Sequence, residues 1–267
     1  MSGTVIVVTS GKGGVGKTTV VANIGAAIAS FGPKVALVDA DIGLRNLDIV
    51  LGLENRIVYD LVNVVEGKCS LRKALIRHKK LENLSLLPAS QSRDKSAVSP
   101  EQMRALAEEL REEYDFVIVD CPAGIEQGFK NAIAGADRAV VVTTPEMSAA
   151  RDADRIIGLL ESEDIRDRGL VINRIRPDMV RRRDMMDVDD ILELLGCDLL
   201  GVVPDDESVI VSTNRGEPVA LDERSKAGRA FRDIASRLMG NDLPIAATTE
   251  NEGLFNKLMR WVGLARG

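Results

Sequence analysis

The chain has 267 residues, enough for one large α/β domain or two small ones. Its 45% hydrophobic and 28% charged content is that of a globular protein, and its net charge of −6 speaks against nonspecific nucleic-acid binding. Three scattered cysteines, Cys69, Cys121 and Cys197, form no C-x-x-C pair, which argues against a zinc site or a disulfide framework and for a reducing compartment.

The first predicted element is a strand over 4–9, "TVIVVT", which begins too soon and with too few basic residues for a signal peptide. It runs into "SGKGGVGKTT", residues 10–19. Gly11, Gly13 and Gly16 alone would fit a dinucleotide turn, whereas Gly11, Gly16, Lys17 and Thr18 spell the P-loop. Lys17 and Thr18 decide between the two. A triphosphate needs a cation on its β and γ oxygens and a hydroxyl on Mg2+, and a packed pyrophosphate needs neither. The expected nucleotide-binding set is therefore Gly11, Lys12, Gly13, Gly14, Val15, Gly16, Lys17, Thr18 and Thr19. Lys12 is a second cation in the same loop. It has two destinations: its own nucleotide, or the nucleotide of a facing subunit, where it would stabilise the transferring phosphoryl group as an arginine finger does.

A helix from Lys17 to a Gly32 C-cap and a strand over 34–39 follow. "DADIGLRNLD" then places Asp39 and Asp41 at a strand tip. Asp41 is the candidate to orient the attacking water and to stand near the metal. Asp39 is structural or close to Mg2+, and helix capping is the competing role for either carboxylate. His78, in "LIRHKK", reads as an ordinary exposed helix residue. Beyond a strand over 83–88 and a helix opened by Ser99-Pro100-Glu101, the strand 115–120 ends on Asp120. Four apolar residues before that carboxylate make the Walker B pattern, with Asp120 holding Mg2+ through water. Gly124 follows closely, where its N–H can sit on a γ-phosphate.

Further strands over 138–143, 169–174 and 199–204 alternate with helices over 148–162 and 224–239. Nearly continuous apolar strands separated by helices predict an α/β P-loop NTPase fold, a mostly parallel sheet covered by helices on both faces. "RRRDMMD", 181–187, reads as a solvated loop, and Arg151 and Asp152 as candidate partner contacts.

After Gly240 the pattern changes: residues 1–240 are the P-loop domain, 241–251 a linker and 252–267 an amphipathic helix. On a helical wheel Leu254, Phe255, Leu258, Met259, Trp261, Val262 and Ala265 share an arc of about 160°. Asn256, Lys257, Arg260 and Gly263 lie opposite, Arg266 borders the apolar face, and Leu264 is the exception on the polar side. Apolar and aromatic residues opposite basic ones describe a helix lying in the headgroups of an anionic membrane. Burying six such side chains gains about 1.5–3 kcal/mol each, and ordering a dozen residues costs about 1–2 kcal/mol each. The sums nearly cancel, so one tail binds weakly and two on a dimer bind far better.

"KGGVGKTT", "DADIGLRNLD" and "DCPAGIE" together resemble the deviant Walker A (ParA/MinD) family of P-loop ATPases, over essentially the whole chain. The resemblance implies ATP and Mg2+ as ligands and an ATP-sandwich homodimer crossed by Lys12. It implies slow, partner-stimulated hydrolysis with Lys12, Lys17 and Asp41 in catalytic roles and Thr18, Asp120 and Asp41 near the metal. It places Asn173 and Arg174 of "VINRIRP", and Pro204 and Asp205 of "PDD", against the adenine base. It further implies a cytoplasmic protein held on the inner face of the cell membrane. There it would position the division site with a division inhibitor (MinC-like) and an ATPase activator (MinE-like). Cys121, where the family more often has Ser or Ala, leaves the site unchanged. A flagellar-positioning or DNA-segregation relative, or a membrane scaffold with negligible turnover, are the alternatives.

Overall fold

In the computed structural model, residues 2–245 are described; the end of the expected linker and the residues expected to form the terminal amphipathic helix, Leu254 to Val262 among them, lie outside them. The strands are β1 (Thr4–Thr9), β2 (Val35–Asp39), β3 (Ile76–Arg77), β4 (Leu84–Leu87), β5 (Phe116–Asp120), β6 (Arg138–Thr143), β7 (Arg168–Ile175) and β8 (Asp198–Pro204). They form one sheet in the order β3-β4-β2-β5-β1-β6-β7-β8, parallel except where β3 pairs antiparallel with β4. The seven strands read from the sequence are all present, their ends displaced by one residue at most.

The helices are α1 (Lys17–Ser30), α2 (Leu47–Val50), α3 (Leu61–Val65), α4 (Leu71–Ala74), α5 (Pro100–Glu113), α6 (Gln127–Ile133), α7 (Met147–Ser162), α8 (Pro177–Arg181), α9 (Val188–Leu195), α10 (Glu207–Asn214) and α11 (Lys226–Leu238). Alternation along the strands sorts the side chains into two cores. Ile6, Val8, Leu37, Ile118 and Val140 pack on α1 and α11 through Val20, Ile24, Ile28, Phe231 and Ile234. Val5, Val7, Val38, Val117 and Val141 pack on α5, α6 and α7 through Leu106, Leu110, Phe129, Ile156 and Leu160. Both faces are covered, which is why the strands read as unbroken apolar runs. Helix α5 carries the start signal expected of it. Ser99 accepts from the Gln102 N–H in a reciprocal capping box with Pro100 in the first turn.

His78 departs from its expected place. Helix α4 stops after one turn, and the chain enters the short edge strand β3. The imidazole is then buried, with Nδ1 accepting from the N–H of Lys80 (3.2 Å) and of Leu81 (3.1 Å). It seals the β3–β4 turn, and burial together with Lys80, Lys79 and Arg56 lowers its pKa. Beyond α11, residues 241–245 have no regular structure. Arg237 straps them to the domain, donating to the carbonyls of Leu243 (2.9 Å) and Pro244 (2.8 Å). Among the described residues no helix is long and apolar enough to cross a membrane.

Candidate nucleotide site

Strands β2, β5 and β1 lie side by side in the middle of the sheet, and their C-terminal ends gather the loop 10–16, Asp39 and Asp120. This crevice at the carboxyl ends of the strands is where open α/β sheets bind ligands. Helix α1 starts at Lys17 with no side-chain cap, so its first N–H groups face the loop's concavity. Gly16 reaches φ 98°, and a Cβ there would collide with the Asn173 amide nitrogen. Only glycine suits both demands.

Lys17 is 8% exposed, and its charge reaches Asp120. Asp120 is 1% exposed, and its Oδ1 has no hydrogen-bond partner. Burial pushes this carboxyl up to about 6, while the Thr18 hydroxyl, close enough to donate to it, and Lys17 hold it down. A buried carboxylate oxygen without a partner costs free energy unless a ligand meets it. Together with the Thr18 hydroxyl it fits the donor set of Mg2+, which takes one or two protein oxygens and completes its shell with water and phosphate. Among the described residues no cluster of three or more His, Cys, Asp or Glu is placed to hold a metal unaided.

Asp39 faces Asp120 across the β2–β5 pair. Burial first, and the charge of Asp120 second, push its carboxyl up to about 8. Its two oxygens accept from the N–H of Asp41 (3.0 Å) and of Leu47, at the start of α2 (3.2 Å). Asp39 therefore shapes the loop that carries Asp41. The charge of Asp41 raises both Asp39 and Asp120, so the three carboxylates form one cluster. Cys121 is buried beneath it, and burial pushes its thiol up to about 12, which keeps it neutral.

Lys12 is exposed on the rim of the loop, where it meets the start of α7. Its Nζ lies 3.3 Å from Glu146 Oε2 and donates to Ser148 Oγ at 3.2 Å, at the start of α7. That pair comes from a contact 134 residues away, which no local pattern signals.

The residues expected to meet the base come from distant segments. Asn173 is buried, and its amide serves its own chain: Nδ2 donates to the Val15 carbonyl (2.8 Å), and Oδ1 accepts from the Arg174 N–H (3.0 Å). Arg174 holds φ 59°. Pro204 and Asp205 line an open pocket of about 640 Å3 with Asp206, Glu207, Ser208, Asp222, Arg224, Ser225 and Lys226. Asp205 is attached through its backbone N–H to the Ile175 carbonyl (2.9 Å). Its neighbour Asp206, which the sequence reading did not single out, caps two helices. It accepts from the N–H of Ser208 (2.9 Å) in α10, from the N–H of Ala227 (3.2 Å) in α11, and from Ser225 Oγ (3.1 Å).

A phosphate-binding loop over a buried carboxylate cluster, with a second loop lysine on the rim, is the pattern of one family. Residues 6–219 match the family model described as the CobQ/CobB/MinD/ParA nucleotide binding domain. The chain belongs to the MinD/ParA family. The septum site-determining protein MinD of Bacillus subtilis is 55% identical over 265 residues, covering 98% of this chain and 99% of that protein. Among solved structures, the MinC:MinD cell division protein complex of Aquifex aeolicus matches with TM-score 0.86 and 49% identity, over 91% of this chain and 99% of that one. Septum site-determining MinD of Pyrococcus horikoshii, complexed with Mg-ADP, matches with TM-score 0.80 and 30% identity, over 88% and 95%. The eight-stranded sheet is the MinD/ParA fold, and the family is one of nucleotide-binding P-loop ATPases.

Proposed function

We propose that this MinD/ParA-family chain is an ATP-switched peripheral membrane protein that positions the cell-division site. The observation that carries the enzymatic half is the unpartnered Asp120 oxygen beside Thr18 and Lys17 at the mouth of a capless helix. In this reading the loop N–H groups and Lys17 bind the β and γ phosphates, and Thr18 and Asp120 hold Mg2+. The ion, when bound, neutralises charge on the phosphate oxygens. Asp41, on the loop fixed by Asp39, orients the attacking water. Asn173, Arg174, Pro204 and Asp205 receive the base.

Lys12 supplies the switch. Its exposed contacts with Glu146 and Ser148 hold weakly, so a triphosphate in a facing subunit competes for it. Pairing two subunits would bring two basic amphipathic tails to one anionic surface, and hydrolysis would release them. The division role is supported by the septum site-determining relatives, and a MinC-like partner by the Aquifex complex. A MinE-like activator belongs to the same reading.

The test measures mass by light scattering and sedimentation with anionic vesicles, using ATP or ADP with Mg2+ and chains with or without residues 253–267. Dimerisation and vesicle binding with ATP alone, with binding lost on truncation, is the expected result. A chain that stays monomeric with a slowly hydrolysed ATP analogue refutes the reading. Lys12→Ala is expected to lose hydrolysis while ATP affinity changes by less than about tenfold.

A further inference from the structure

The base end of the site is sewn to the phosphate end by a side chain that lies in neither. Asn23 sits on α1, four residues after Thr19 in the phosphate-binding stretch, and is 1% exposed. A polar amide among Val20, Val21, Ile24 and Ala27 needs partners, and it has two. Its Nδ2 donates to the Thr19 carbonyl at 2.8 Å, and its Oδ1 accepts from the Ala220 N–H at 2.8 Å, 197 residues along the chain. Ala220 lies in the short 3-10 turn Val219–Leu221, immediately before Asp222 on the wall of the base pocket.

The same turn is held from the other side. Arg232 of α11 donates through Nη1 to the carbonyls of Ala220 (2.6 Å) and Asp222 (3.1 Å). Gly228 of α11 lets the turn lie on the helix, for a Cβ there would strike the carbonyls of Val219 and Asp222. Asp206 then joins this wall to the opposite one through Ser225 and Ala227. The chain of bonds runs from α1 through Asn23 to the turn, and from the turn to both walls of the 640 Å3 pocket.

We infer that Asn23 is a positioning residue that fixes the base pocket in register with the phosphate loop. It gives the site its preference for a complete nucleoside triphosphate over the bare phosphate chain. The inference rests on the reading of this pocket as the base subsite. The rim reports on the position of α1, and α1 begins at the phosphates, so a ligand spanning both ends gains from their fixed spacing.

The full chain is titrated with ATP and with inorganic tripolyphosphate, both with Mg2+. Asn23→Ala is expected to weaken ATP about tenfold, the loss of one buried hydrogen bond's worth of order, and to leave tripolyphosphate within about twofold. Amide exchange of residues 218–222 should rise in the same protein. Arg232→Ala, which frees the turn from the outer helix, should show the same selective loss and serves if Asn23→Ala fails to fold. Equal weakening of both ligands would place the action of Asn23 on the phosphate loop through Thr19 and overturn the inference, as would no change in either. If the unaltered chain binds ATP no more tightly than tripolyphosphate, the base-pocket reading itself fails, and the inference with it.

Discussion

The two ends of the proposed nucleotide site are built on opposite plans. The phosphate end is one run of ten residues, 10–19, laid over two adjacent strand tips. The donors proposed for it are mainly backbone N–H groups, which any sequence with glycines in the right places can supply. The base end draws on residues around 23, 173, 205, 222 and 232, and holds its shape with side-chain hydrogen bonds that span up to 197 positions. Local chemistry fixes the first, and packing fixes the second. Substitutions should therefore act steeply and singly at the phosphate end, and partially and cooperatively at the base end.

The sharpest contrast is expected from Lys17→Ala, which removes the buried cation and should lower ATP hydrolysis by about 10^3-fold or more in a phosphate-release assay. Asp120→Asn comes next. It should reduce Mg2+-dependent hydrolysis about 10^2-fold while ATP binding measured without Mg2+ stays near that of the unaltered chain. Equal loss with and without Mg2+ would assign Asp120 a structural role. At the base end, Asp206→Ala unties the caps of α10 and α11 together and should cost about 1–3 kcal/mol of stability in a denaturant melt. ATP affinity should fall far less than in Lys17→Ala, and a larger fall would erase the distinction between the ends.

The smallest effect is a slope. In the nucleotide-free chain, Asp39 is pushed up to about 8 and Asp120 to about 6 from an ordinary 3.8. Between those values the folded protein binds more protons than the unfolded chain, so stability falls as pH rises from about 4 towards 8. Thermal melts without Mg2+ should show the decline, and Asp39→Asn should flatten it above pH 6. A melting temperature that instead rose over this range would contradict the buried pair.

Several elements were legible because their causes are local. Ser99-Pro100-Glu101 announced α5, which the structure closes with a Ser99–Gln102 capping box, and the five-residue strand ending on Asp120 announced its apolar face and its carboxylate. The small helices from α2 to α4, and α6, α8, α9 and α10, run four to eight residues, too short for a period to show. His78 was misread for a related reason: a two-residue edge strand has no pattern of its own, and only its pairing with β4 decides that the imidazole is buried. Lys12 likewise carried no mark that pointed to Glu146 and Ser148.

The sequence by itself determined the phosphate loop, the parallel sheet and the family, because glycine geometry, lysine charge and apolar periodicity act between neighbours along the chain. Tertiary structure alone decided that Asp39 and Asp120 share one buried cluster, that Asp206 caps two helices, and that Asn23 ties the turn at Val219–Leu221 to α1. Those are meetings of residues far apart in sequence, and a hydrogen bond or a desolvated charge exists only where the fold has already brought its partners within reach.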